Sequence, residues 1–236
     1  MTDSEKQDAA VVIGASGGVG GAVADALEAA GQYAVVHRFA RTLTGAARLD
    51  LEDEGTIAAA AARVAAGPAP ALIFVATGVL HHGHDPERSY RAMTAEHLMR
   101  DYRINAVGPA MVAKYFAPLL PRDRRAVFTA LSARVGSIGD NRLGGWHSYR
   151  ASKAALNMIL RNLAIELARS HPMAVVAGLH PGTVATDLSG PFQKGLSAGK
   201  LFTPAYSAER LLAVLDGLTL ADSGGVFAWD GARVPE

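Results

Sequence analysis

Val11-Val12-Ile13-Gly14-Ala15-Ser16-Gly17-Gly18-Val19-Gly20 is the stretch on which the reading of this chain turns. The apolar run at 9–13 is too short for a helix and is cut off by glycine, which predicts a short buried strand. Residues 14–20 form a glycine-rich turn, and 21–30 predict a helix that Gly31 stops. Glycines at 14, 18 and 20 let the backbone turn sharply and come close to a pyrophosphate. The helix start offers unpaired N–H groups and the positive end of a dipole. Ser16, Gly17 and Val19 complete the candidate nucleotide cradle. The spacing is Gly-x3-Gly-x-Gly, and Gly20 is not followed by Lys and Ser or Thr, so a P-loop is not supported. The same glycines would also serve a plain tight strand-to-helix turn. Placement at the first strand–helix unit of the chain favours the nucleotide reading.

Outward from this turn, apolar runs alternate with helical stretches. Strands are predicted at 33–38, weakly at 47–50, then at 71–76, 126–131, 174–179 and 226–228. Helices are predicted at 52–66, from an N-cap at Thr94 to about 120, at 148–170 and at 205–218. Short apolar strands alternating with helices imply a parallel sheet covered on both faces. The fold expected is α/β, a Rossmann-type doubly wound parallel sheet of about seven strands in a single domain. That domain spans 9–236, behind a polar tail at 1–8, with a long substrate loop at about 182–203.

Composition removes several functions. Among 236 residues, 23 Lys and Arg are balanced by 22 Asp and Glu, and there is no cysteine. Near-neutral charge argues against a nucleic-acid surface. The lack of cysteine excludes disulfides, iron–sulfur clusters and cysteine nucleophiles. No run of about 20 apolar residues suggests a membrane helix, and the first eight residues lack the apolar core of a secretory signal. A cytoplasmic protein without nucleic-acid or membrane partners is expected.

The second strand would select the cofactor. It ends His37-Arg38-Phe39-Ala40-Arg41, with no carboxylate to bind ribose hydroxyls. Arg38 and Arg41 instead suit a 2′-phosphate, which favours NADP(H) and leaves NAD(H) as the alternative. Both arginines would also be unremarkable at a solvated strand end. Further along, Tyr149 and Lys153 lie four residues apart and share a helix face. An ammonium beside a phenol stabilises the phenolate and brings the tyrosine into range as an acid or base.

With these residues in view, the chain resembles the short-chain dehydrogenase/reductase family over about residues 9–230, and within it the C-factor-like branch. The branch likeness rests on 131–137, 140–146 and 227–231. The resemblance implies an oxidoreductase that interconverts a small-molecule carbonyl and an alcohol, working as a homodimer or homotetramer. It makes Tyr149 and Lys153 the catalytic pair, supported by Asn105. It assigns Asp50 and Leu51 to the adenine end of the nucleotide, and Thr77 and Gly78 to the turn after the strand at 71–76. Pro181, Gly182, Val184 and Thr186 match the stretch that cradles the nicotinamide.

Two departures matter. The family reads Asn-Asn-Ala-Gly where this chain has Val75-Ala76-Thr77-Gly78. It also often reads Ser-Ser, with the second serine catalytic, where this chain has Ser132-Ala133. Ser132 is the first candidate for the missing hydroxyl, with Ser137 and Ser148 behind it. A nucleotide-binding signalling protein without obligatory turnover is the competing class.

Other features carry less. His81, His82 and His84 invite a metal reading, but they stand together in a loop, and no metal is assigned. Arg122-Asp123-Arg124-Arg125 reads as a solvated turn. Trp146 and His147 are candidates for substrate contact or for packing at a helix entry. Phe192, Leu196, Leu201 and Phe202 are apolar residues able to close over a substrate.

Overall fold

A computed structural model describes residues 7–81, 83, 85–190 and 201–236. Six strands form one parallel sheet: β1 (Ala9–Ile13), β2 (Val35–Phe39), β3 (Pro70–Val75), β4 (Ala126–Leu131), β5 (Ala174–His180) and β8 (Val226–Ala228). Their order is β2-β1-β3-β4-β5-β8, and every pairing is parallel. β1 is buried at all its residues, as a strand covered on both faces must be.

The pleat sorts its side chains. Val11 and Ile13 pack with α2 (Glu54–Ala65), α4 (Gly108–Phe116) and α5 (His147–Ser170). Ala10 and Val12 pack on the opposite face, with α1 (Gly18–Ala30) and α6 (Pro204–Gly217). α5 buries Tyr149, Ser152, Lys153, Leu156, Leu160, Ala164 and Leu167, a stripe at three- and four-residue spacing. Each fully buried leucine on that stripe contributes roughly 1.5–3 kcal/mol.

The fold class is as expected, with three local differences. The weak strand at 47–50 does not form, so the sheet has six strands. A 3-10 turn at Gly45–Ala47 folds the chain back, and pairing is confined to one bridge between Ala40 and Arg48. Beyond it the backbone of Asp50 is taken by Thr56 and Asp53 instead of a strand. The helix expected from Thr94 begins there, with the Thr94 hydroxyl accepting from His97 N at 3.2 Å. It is α3 (Ala95–Tyr102), widened into a π turn at Arg103–Val107 before α4. Finally, the loop expected at 182–203 is paired at its two ends, β6 (Thr183–Val184) running parallel to β7 (Leu201–Phe202). Phe192 and Leu196 lie outside the described residues, as do His82, His84 and most of the N-terminal tail.

The chain leaves β1 toward β2 on one side and β3 on the other. This is the switch point where doubly wound sheets open a crevice at the carboxyl ends of their strands. No described helix is long and apolar enough to cross a membrane.

Candidate active site

The glycine turn closes at this switch point. Gly14 N donates to Phe39 O at 2.8 Å, and Ala76 N donates to Ile13 O at 2.7 Å, which wedges the turn between β2 and β3. Gly14 has φ +90°, and a Cβ there would lie 2.9 Å from Ala76 O. Only glycine meets both conditions. Gly17 caps α1 without any side-chain hydrogen bond, and no acid stands in the first turn. The α1 N–H groups and dipole are therefore left to an anion. Thr186 rests on this start, since a Cβ on Gly18 would lie 2.6 Å from its Cγ2. Val19 and Gly20 are buried inside the turn. The Thr77 hydroxyl is buried beside it without a hydrogen-bond partner. A bare cradle with an unsatisfied hydroxyl fits a dinucleotide.

The two arginines part company. Arg38 Nε and Nη2 donate to Glu28 at 2.8 and 2.6 Å, and Nη2 also reaches Asp25 at 2.7 Å. These bonds raise its already high pKa and fold it onto α1. So placed, its guanidinium is engaged with carboxylates of α1 and not held open toward a phosphate. Arg41 is exposed in the turn after β2 and makes no ion pair among the described residues. Next to it, Thr42 Oγ1 donates to Ser16 Oγ at 2.8 Å. The Asp50 carboxylate accepts from Glu52 N at 3.2 Å and Arg48 Nη2 at 3.3 Å, while Leu51 packs on the start of α4 at Gly108.

On the other side of the crevice, α5 presents Tyr149 and Lys153, 8% and 2% exposed. Lys153 Nζ donates to Leu131 O at 2.8 Å and lies 5.8 Å from the centroid of the Tyr149 ring. Gly78 is bare because the two supports meet over it. A Cβ there would lie 3.3 Å from Asn105 Oδ1 and 3.4 Å from Lys153 Nζ. Asn105 sits in the π turn and ties two segments together. Its Oδ1 accepts from Val79 N at 2.8 Å, and its Nδ2 donates to Val79 O at 2.9 Å and to Ser152 Oγ at 3.0 Å. Ser152 passes a bond of 2.8 Å to Tyr149 O. With both amide hydrogens and one oxygen lone pair committed, the Asn105 side chain works as a tie between the loop at Val79 and α5.

Ser132 is buried, and its hydroxyl donates to Asn157 Oδ1 at 2.5 Å. Ala133 is the residue that packs with Tyr149, beside Leu80. The Ser132 hydroxyl is thus engaged with Asn157, and Ala133, one residue on, is the side chain beside the phenol. Ser137 accepts from Asp140 N at 3.0 Å, and Ser148 donates to Glu87. All three candidate hydroxyls are engaged elsewhere.

Charge at the site comes from residues that the sequence reading missed. Glu87 is 3% exposed. Its carboxylate accepts from Ser148 N at 3.2 Å and from the Ser148 hydroxyl, and its carbonyl accepts from Trp146 N at 2.5 Å. It thereby caps α5 from a distant segment. This matters because the residue in the N-cap position, Trp146, is left-handed (φ 51°, ψ 42°) and makes no side-chain cap. Burial alone would raise the Glu87 pKa, but hydrogen bonds, that of the Ser148 hydroxyl foremost, bring it below the usual carboxylate range. Asp101, on α3, is 2% exposed, and burial followed by the charge of Glu87 pushes it up to about 6. Burial, with Asp101 adding to it, raises Tyr149 well above the usual phenol range. Burial pushes Lys153 down to about 8, opposed by Asp101. The expected lowering of the tyrosine by its lysine is thus outweighed by desolvation. Half-buried His180, beside the Pro181 stretch, is pushed down to about 4 by desolvation and then by Arg134.

The loop base is aromatic. Phe202 stands 4.6 Å from Trp229 and 4.9 Å from Tyr206, centroid to centroid. It lies over Gly182 (φ +76°), where a Cβ would be 2.6 Å from the Phe202 ring. Val184 is buried beneath, and Pro181 O accepts from Ser207 Oγ at 3.0 Å. Trp146 packs edge-on to Tyr149 at 6.3 Å, so it both shapes the α5 entry and walls the tyrosine. His81 Nε2 lies 2.9 Å from Asp187 O. Among the described residues, no group of three or more His, Asp or Glu side chains is placed to hold a metal.

The sequence matches the family described as short chain dehydrogenase over residues 8–196, well over half of the chain. It is 36% identical to the C-signal of Myxococcus xanthus over 139 residues, 58% of this chain and 78% of that protein. It is 38% identical to the 1-hydroxy-2-glutathionyl-2-methyl-3-butene dehydrogenase of a Rhodococcus species over 134 residues, 57% of this chain. The match spans 56% of that enzyme's own length, little more than half. The fold is shared with the NADPH-bound carbonyl reductase from chicken fatty liver, at TM-score 0.80 and 24% identity, covering 98% of this chain and 95% of the other.

Proposed function

The chain belongs to the short chain dehydrogenase family, an oxidoreductase family, and on that premise we propose that it is an NADPH-preferring carbonyl reductase or alcohol dehydrogenase. The observation that carries this reading is the burial of Tyr149 and Lys153 together, across the crevice from the open α1 N-terminus. Residues of the glycine turn, with Thr77, Gly78 and the 181–186 stretch, would hold the nucleotide. Exposed Arg41, without any acid at the β2 end, supports NADP(H) over NAD(H). The bound nicotinamide supplies hydride transfer.

The chain's own residues handle the proton. Tyr149, kept as the neutral phenol by its burial, gives its proton to the oxygen of a substrate carbonyl. Lys153, oriented by Leu131 O, stabilises the phenolate left behind. Asn105 and Ser152 hold α5 against the loop at Gly78, so the pair stays aligned. With Ala133 beside the phenol, Tyr149 carries the stabilisation of the developing alkoxide that a neighbouring hydroxyl would share. The substrate is a small carbonyl or alcohol, and a cytoplasmic homodimer or homotetramer is the assembly this reading expects.

One observation favours a second reading. Ala133 at the phenol, together with the likeness to the C-signal, suits a nucleotide-binding regulatory protein without obligatory turnover. Measuring NADPH oxidation across a panel of aldehydes and ketones, alongside NADPH and NADH binding by thermal shift, separates the two. The reductase reading expects turnover on at least one carbonyl. Tight NADPH binding without turnover on any of them would transfer the case to the regulatory reading.

A further inference from the structure

We propose that Ala133 determines which carbonyls this site reduces, and that the preferred substrates are electron-poor: ketones and aldehydes whose C=O is conjugated with, or next to, an electron-withdrawing group. The inference rests on the reductase reading, with Tyr149 as the proton donor. Around the Tyr149 phenol the structure packs Leu80, Ala133, Val135 and Trp146. The first three have no polar side-chain atom. Trp146, whose indole N–H is a donor, meets the phenol edge-on at 6.3 Å between ring centroids. The hydroxyls flanking these residues in the chain have partners of their own. Ser132 donates to Asn157, Ser137 accepts from Asp140 N, and Ser148 donates to Glu87. Lys153 Nζ is turned to Leu131 O at 2.8 Å. Among the described residues, no side-chain hydroxyl other than the phenol itself is thus left to bond the substrate oxygen.

That arrangement sets the substrate. The carbonyl takes a hydride at carbon from the bound dinucleotide and the Tyr149 proton at oxygen. The C=O π bond breaks, two electrons pass from the nicotinamide to the substrate, and the phenolate left on Tyr149 recovers a proton from water. In the transition state, negative charge gathers on the oxygen before the proton has fully arrived. A second donor at that oxygen is worth about 10²–10³ in rate. Apolar neighbours sharpen the need, because an unshared charge costs most where water is excluded. With only a methyl group at position 133 beside the phenol, the charge must be drawn off by the substrate itself. An electron-withdrawing substituent does this, and an electron-donating one does the opposite.

Acetophenones with nitro, hydrogen or methoxy at the para position vary the electron demand while the reacting end keeps its shape. For the parent protein with NADPH, kcat/KM should rise steeply from methoxy to nitro. Ala133→Ser places a hydroxyl beside the phenol. It should raise kcat/KM for the methoxy ketone by about tenfold or more, with a smaller gain for the nitro ketone, so that the dependence flattens. Ratios between substrates do not move when a variant is merely less stable. A second readout needs no turnover: the infrared carbonyl stretch of isotope-labelled acetophenone bound together with NADP⁺. In Ala133→Ser it should lie at lower wavenumber than in the parent, as an added hydrogen bond requires. Ala133→Thr carries the same donor should Ala133→Ser not fold. Trp146→Phe and Ser132→Ala each remove a neighbouring donor, and neither should change the dependence. Equal kcat/KM of the parent for the three ketones, an Ala133→Ser dependence as steep as the parent's, an unmoved carbonyl stretch, or a dependence steepened by Trp146→Phe or Ser132→Ala overturns the proposal. Failure of the parent and of Ala133→Ser alike to turn over any carbonyl would instead count against the reductase reading, and the carbonyl stretch would still report on position 133.

Discussion

Two helices begin at this site, and they begin in opposite ways. α1 opens at Gly17 with no side-chain cap and no acid in its first turn, so its N–H groups face the crevice. α5 opens at a left-handed Trp146, and Glu87 reaches in from a segment some 60 residues earlier to close it. The open start suits an anion that comes and goes. The closed start suits a side chain that must not move, and Tyr149, proposed to pass the proton, lies in the first turn after it. One element of structure serves either task, depending on whether the protein supplies the negative charge itself.

The sharpest way to break this comparison is at Tyr149. Tyr149→Phe should cut carbonyl reduction by roughly 10²–10⁴-fold, the range for loss of a general acid. NADPH affinity should remain within a few-fold, because the nucleotide is read at α1. Comparable losses in a binding titration and in steady-state turnover would mean that the two helix starts are not separate devices.

A second test sharpens the α1 side. Arg41→Ala should weaken NADPH binding by about tenfold, or about 1.4 kcal/mol, and leave NADH unaffected. Arg38→Ala should change neither, since its guanidinium is spent on Glu28 and Asp25. Equal effects of the two substitutions in isothermal titration would undo that distinction. A third test reads stability and falls on the α5 side. Glu87→Ala strips a cap and leaves the Ser148 N–H buried and unpaired, costing about 1–3 kcal/mol. Thermal unfolding should show a drop of about 2–4 °C for each kcal/mol in a chain of this size. A melting curve unchanged from the parent would show that α5 does not depend on its borrowed cap.

The difference between the two starts also marks what was legible in sequence. The α1 side is local: Gly14, Gly18 and Gly20 lie within one turn of chain, and their meaning can be read from spacing. Tyr149 and Lys153 are similarly close, and Asn105 follows from the family pattern. What escaped is contact across the chain. Glu87 lies in Asp85-Pro86-Glu87-Arg88 and Asp101 in Met99-Arg100-Asp101-Tyr102, and both look like ordinary surface charge until burial is known. Arg38 looks like a phosphate ligand until the carboxylates of α1, 10 and 13 residues earlier, are seen to hold it. Ser132 and Ala133 are adjacent, and only the backbone path past β4 decides which of them faces the phenol.

The short pairing of β6 with β7, sealed by Phe202, Tyr206 and Trp229 over Gly182, carries a consequence for how such a protein changes over generations. The two ends of the connection are fastened to the scaffold independently of whatever joins them. Closing a somewhat longer or shorter connection between fixed ends costs little, since the entropic term grows only with the logarithm of length. Changes of sequence or length between the fastened ends therefore leave the sheet, the glycine turn and α5 undisturbed.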